Sequence, residues 1–208
     1  MPYLSEFLTV ATIHFLAVVS PGPDFIMVTR NTLVHSRKAG IYSAIGLGIG
    51  IGVHVAYSLL GIALLISQSE IVFNVIKYAG ALYLLYLGGL SLFSKSSRIN
   101  LPQEKHSHDL APLKALQMGF ITNVTNPKAT LFFLALFTQI ISPQTPHIIQ
   151  VAYGVEMMIV TSLWFMFVAY IFSIHVVRKG FEKVGHIAER VMGIALIGLA
   201  LKIAVSSK

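Results

Sequence analysis

The chain has 208 residues, 55% of them apolar and only 11% charged, with a mean hydropathy of +0.77. These values exclude an ordinary soluble domain and mark an integral membrane protein. The absence of cysteine excludes disulfides, thiolate catalysis and cysteine-ligated metal or iron–sulfur sites. The formal charge of +7 sits in short connections between apolar stretches, where it sets topology, and no nucleic-acid partner is expected.

Crossing a bilayer takes roughly 20 mainly apolar residues, and six such stretches are predicted, at about 5–29, 40–67, 70–94, 113–141, 147–176 and 185–205. The first lacks a basic leader and is too long for a removable signal, so it is expected to remain as a span. The expected fold is an all-α membrane protein of six transmembrane helices, occupying 1–208 as a single domain. A polar loop at about 95–112 separates a first half, about 1–94, from a second half, about 113–208.

The first span carries Ser20-Pro21-Gly22-Pro23-Asp24. Pro21 and Pro23 each lack an N–H, and Gly22 between them permits a bend or a close approach to a ligand. Ser20 is expected to cap a second half-helix starting at Pro21. An acid near the centre of a span costs about 2.5–3.5 kcal/mol on insertion scales, so Asp24 is expected to face the bundle interior. There it would accept an ammonium group, exchange a proton, favour the half-helix dipole or pair with Lys128.

In the second span Gly46 with Gly50, and Gly48 with Gly52, form two GxxxG pairs on nearly opposite faces, which predicts close packing on two neighbours and a central position. His14 and His54 also fall within spans and are read as hydrogen-bonded structure. His106 and His108 in the polar loop make a weak metal pair, and neither a metal site nor a cofactor is expected.

The fourth span is broken by Asn126-Pro127-Lys128, which adds amide groups, a lost hydrogen bond and a positive charge suited to a carboxylate. Counting from Lys114 at about 1.5 Å per residue puts Asn126 roughly 18 Å into the membrane. Asn123-Val124-Thr125 has the glycosylation pattern, but that depth excludes the modification, and Asn123 joins the candidate binding set. Glu156 in the fifth span is a second proton-site candidate beside Asp24; an interfacial or interhelical role remains open.

Arg30, Arg37, Lys38, Lys95, Arg98, Lys105, Lys114, Arg178, Lys179, Lys183 and Arg190 fall on one side of this arrangement, against Lys77, Lys202 and Lys208 on the other. The bias predicts that both termini lie outside the cytoplasm. The halves share short similarities: Val19-Ser20-Pro21 with Thr125-Asn126-Pro127, and the surroundings of Gly80 with those of Gly193. Three helices per half would make the repeats inverted, with the two interruptions meeting at a central site.

On these residues the chain resembles the LysE/RhtB family of amino-acid exporters. The motifs are Ser20-Pro21-Gly22-Pro23-Asp24-Phe25, Tyr83-Leu84-Leu85-Tyr86-Leu87-Gly88, Asn126-Pro127-Lys128-Ala129 and Leu163-Trp164. Phe7-Leu8-Thr9-Val10-Ala11 with His14 is similar to the threonine and homoserine branch. The resemblance implies a non-enzymatic carrier of the bacterial inner membrane that exports a small amino acid against protons. Its substrate would lie among Ser20, Pro21, Gly22, Pro23, Asp24, Asn123, Asn126, Pro127 and Lys128. Another small-solute carrier or a channel-like protein is the competing reading, and both a monomer and a homodimer stay open.

Overall fold

The computed structural model describes residues 3–68, 70–93, 109–142 and 144–174, with 187, 190, 191, 193, 194, 196–198, 200 and 201. The loop residues 95–108, including His106 and His108, lie outside the described residues, as do Arg178, Lys179, Lys183, Lys202, Lys208 and part of the sixth predicted span. Among the described residues seven helices can be delimited: α1 (Leu4–Val19), α2 (Pro23–Val34), α3 (Arg37–Gln68), α4 (Glu70–Leu92), α5 (Pro112–Val124), α6 (Pro127–Gln139) and α7 (His147–Phe172). No strand occurs among the described residues.

Over Arg37–Gly61 and over His147–Phe172, α3 and α7 are each long and apolar enough to cross a membrane. The pair α1 and α2 meets the same measure jointly, bent by 53° at its break. Large apolar side chains such as Leu60, Leu82, Ile121, Ile148, Leu163 and Phe167 point outward. A surface of this kind suits lipid.

The expected cap at Ser20 is corrected. Ser20 ends α1, with φ −65° and ψ 126°, while α2 starts two residues later than expected, at Pro23 behind Gly22. Both prolines fit a first helical position, so the sequence alone did not choose between them. The likeness between the halves shifts with it: Gly22-Pro23-Asp24 matches Asn126-Pro127-Lys128, so Asp24 and Lys128 occupy equivalent second positions of two half-helices.

Helix α3 packs against α2, α4, α5, α6 and α7. Its glycines set the closest approaches. A Cβ on Gly46 would lie 2.0 Å from the Leu116 carbonyl oxygen, and one on Gly119 of α5 would lie 2.0 Å from that of Ser43. On the other face, a Cβ on Gly48 would fall 1.9 Å from Ser162 Oγ of α7. Since a backbone carbonyl cannot swing aside as a side chain can, Gly46→Ala should cost about 1–3 kcal/mol. Gly61→Ala meets nothing within 4 Å among the described residues and should leave the melting temperature unchanged; equal melting of the two variants in detergent would contradict this packing.

Two apolar clusters lie on either side of the helix breaks. Phe25, Val28, Leu47, Phe165 and Phe172 form one, and Val10, Leu84, Phe133, Phe137 and Met157 belong to the other. Along α3 and α7 the change from one cluster to the other falls between Leu47 and Ile51, and between Met157 and Phe165. The polar residues of both breaks occupy the level between them.

Candidate functional site

The two breaks have different caps for reasons visible in their sequences. At the second, Asn126 accepts the backbone N–H of Lys128 on Oδ1 at 3.0 Å, which satisfies one of the free donors of the α6 start. At the first, Gly22 has no side chain to offer, and its φ of −168° is extended backbone open to any residue. The space beside it matters instead: a Cβ there would lie 3.6 Å from Lys128 Nζ.

The charges cross between the breaks. Asp24, near the positive start of α2, accepts Asn123 Nδ2 on one carboxylate oxygen at 2.8 Å and Asn126 Nδ2 on the other at 3.1 Å. Lys128 stands at the start of α6, where that helix's own dipole opposes it. It reaches instead to the end of α1, and its Nζ donates to the Ser20 carbonyl at 3.4 Å. Thus Asn126 binds Asp24 with its amide nitrogen and caps α6 with its amide oxygen, so one side chain ties the two breaks together.

Ser20, Gly22, Asp24, Asn123, Asn126 and Lys128 line a single cavity of about 470 Å³, counting its open mouth. Pro21, Pro23 and Pro127 do not line it; Pro23 and Pro127 act by starting the half-helices. Beside the charged side chains of Asp24 and Lys128, the cavity is lined by the apolar Ile51, Phe132, Phe133 and Phe165 and by the polar His14 and Thr161. The arrangement can hold a small zwitterion by both charges and enclose an apolar or weakly polar side chain.

Glu156 on α7 is not among the lining residues, and its Oε2 is buried with no hydrogen-bond partner among the described residues. The histidines read as structural stand closer. His14, fully buried, meets Thr161 Oγ1 through Nε2 at 3.2 Å, while its Nδ1 has no partner among the described residues. His54, also fully buried, lies with Nε2 3.0 Å from the Asn123 carbonyl oxygen and Nδ1 2.7 Å from the Tyr57 hydroxyl. Its ring stacks on Phe133 with centroids 5.5 Å apart. A His and a Tyr three apart on one helical face were a legible signal for that pair. Glu6 was not singled out at all. It accepts Ser142 N at 2.9 Å and Thr145 Oγ1 at 2.8 Å, pinning the start of α1 to the turn between α6 and α7.

Among curated proteins, the chain is similar to YrhP of Bacillus subtilis, an uncharacterized membrane protein, with 30% identity over 92% of this chain and 94% of the relative. It is 28% identical to the uncharacterized membrane protein YahN of Escherichia coli, over 95% of this chain and 87% of that one. It is 27% identical to the threonine efflux protein of Escherichia coli, over 98% and 99% of the two chains. No solved structure matches the chain. The family model for the LysE type translocator matches residues 15–207, a stretch that contains both helix breaks and nearly all of the cavity wall. The chain is therefore a multi-pass membrane protein that belongs to the LysE type translocator family.

Proposed function

We propose that the protein exports a small neutral amino acid of the threonine or homoserine kind across the bacterial inner membrane, in exchange for protons. The observation that carries the reading is the presence of Asp24 and Lys128 on the walls of one small cavity. In this reading the cargo carboxylate lies by Lys128 and Asn126, its ammonium by Asp24 and the Ser20 carbonyl, and its side chain against Phe132, Phe133 and Thr161. Opposite fixed charges select a zwitterion over a simple anion or cation. The threonine efflux relative supports the cargo class.

The same proposal takes the fold to be six spans: α1 with α2, α3, α4, α5 with α6, α7, and the sixth span expected from sequence at about 185–205. These form two inverted halves, with both termini outside the cytoplasm and the whole chain acting as one transport domain. The equivalent placing of Asp24 and Lys128 supports such a repeat. Rocking of the halves would expose the cavity to each side in turn, and protonation of Asp24 or Glu156 would bias the two states.

Counterflow in proteoliposomes loaded with a panel of amino acids tests this directly, with and without an imposed pH gradient. Saturable exchange of threonine or homoserine, accelerated by the gradient, is the expected result. Flux that rises linearly with concentration would indicate a channel, and saturable transport indifferent to the gradient would remove the proton antiport.

A further inference from the structure

We propose that His54 is a proton-carrying residue of the transport cycle, and that its protonation ties the first turn of α6 to α3 while competing with the cargo ammonium for Asp24. The inference rests on the proton-antiport reading above. It adds to the proton-coupling residues one that lies outside the cavity wall.

The geometry of His54 suits two protonation states without moving a heavy atom. A carbonyl oxygen only accepts, so Nε2, at 3.0 Å from the Asn123 oxygen, carries a hydrogen in both states. Nδ1 faces the Tyr57 hydroxyl at 2.7 Å, and that hydroxyl also lies 3.2 Å from the Thr130 carbonyl oxygen. With a neutral ring, the Tyr57 hydrogen points to Nδ1. When hydronium gives a proton to Nδ1, its O–H bond breaks to leave water, and the new N–H bond donates to the Tyr57 oxygen. Tyr57 keeps its own hydrogen and turns it to Thr130, and no covalent bond of the protein breaks. Both states leave every nitrogen of the buried ring paired, which an isolated buried histidine cannot achieve.

The location gives this proton two consequences. Asn123 belongs to the last turn of α5 and Thr130 to the first turn of α6, so His54 and Tyr57 together span the second break. The protonated form adds a hydrogen bond from α3 to α6; the neutral form releases it. The positive ring also acts on Asp24, whose carboxylate is joined to it through Asn123. A cation on His54 and an ammonium at Asp24 therefore oppose one another, as exchange of proton for cargo requires.

The groups facing His54 are few. Asp24 of α2 acts on it electrostatically, and Tyr57 of α3 bonds it. Lys128 stands at the start of α6, and His14 of α1 packs against the same Phe133 ring. Among the described residues, α4, α5 and α7 place no titratable side chain in hydrogen-bond or ring contact with it.

The test compares exchange with gradient-driven accumulation of radiolabelled threonine in proteoliposomes. His54→Gln keeps an N–H for Asn123 and an acceptor for Tyr57 but takes up no proton. Gradient-driven accumulation should fall at least about tenfold, the effect of about 1.4 kcal/mol of coupling, while counterflow falls no more than about threefold. Tyr57→Phe removes the switching hydroxyl and should show the same split, so it serves if the glutamine variant does not reach the membrane. Wild-type-like accumulation in either variant, or equal losses of both activities, overturns the role of His54 and leaves the antiport intact. Threonine transport by the unmutated protein that ignores the gradient removes the antiport and this inference together.

Discussion

Asp24→Asn is expected to abolish gradient-driven accumulation of labelled threonine, with a loss of at least about 100-fold, while the protein still inserts and folds. The fold should survive because the local hydrogen bonds can be rebuilt. Asn126 cannot turn its amide, since Oδ1 holds the Lys128 N–H; its Nδ2 therefore continues to donate to position 24. Asn123 can turn. Its Oδ1 is buried with no partner among the described residues, and a rotated amide presents that oxygen to the N–H group that the substitution introduces. The rearranged hydrogen bonds should cost about 1 kcal/mol and the loss of the charge opposite Lys128 about 1–2 kcal/mol more, a fall of roughly 4–12 °C in melting temperature.

Function has no such remedy. The variant lacks the negative charge that would hold a cargo ammonium, and it cannot exchange a proton in that place. Thermal melting in detergent and accumulation in proteoliposomes separate the two effects. Accumulation at the wild-type level in the Asp24→Asn variant would sink the assignment of Asp24 to cargo and proton alike.

The elements that sequence exposed were those costly to place in lipid. A Pro-Gly-Pro-Asp segment and an Asn-Pro-Lys segment inside apolar spans can persist only where protein surrounds them, and both contribute to one cavity in the structure. The paired glycines of the second span were equally legible, because spacing alone gives their faces; those faces meet α5 and α7. The register of the first break was not. Ser20 and Gly22 both suit a cap and both prolines suit a helix start, so the local sequence does not choose between the two registers.

The histidines show the opposite limit. Nothing in the sequence near His54 reveals that Asn123, 69 residues away, offers it a carbonyl. Glu6 was missed for the same reason, since its partners Ser142 and Thr145 lie 136 and 139 residues along the chain. Single-sequence reading registers what a residue does to its own helix. It does not register which neighbour corrects the cost.

Lys128→Gln brings that distinction to a measurable form, because Lys128 is unfavourable in its own helix and favourable across the cavity. Its removal relieves repulsion from the α6 dipole, worth about 0.3–1 kcal/mol. It also removes the donor to the Ser20 carbonyl and the positive charge acting on Asp24. Breaking a fully buried ion pair costs roughly 3–5 kcal/mol, and the open cavity reduces this. A net loss of about 1–3 kcal/mol follows, together with at least about 100-fold lower threonine counterflow, since the cargo carboxylate has lost its partner. The double variant Asp24→Asn/Lys128→Gln leaves no uncompensated charge. It should regain part of the stability lost in Lys128→Gln while transporting nothing, so stability and transport respond in opposite ways to the second substitution. Strictly additive melting shifts would show that the two charges do not act on each other. Substantial counterflow by Lys128→Gln would place the cargo carboxylate elsewhere in the cavity.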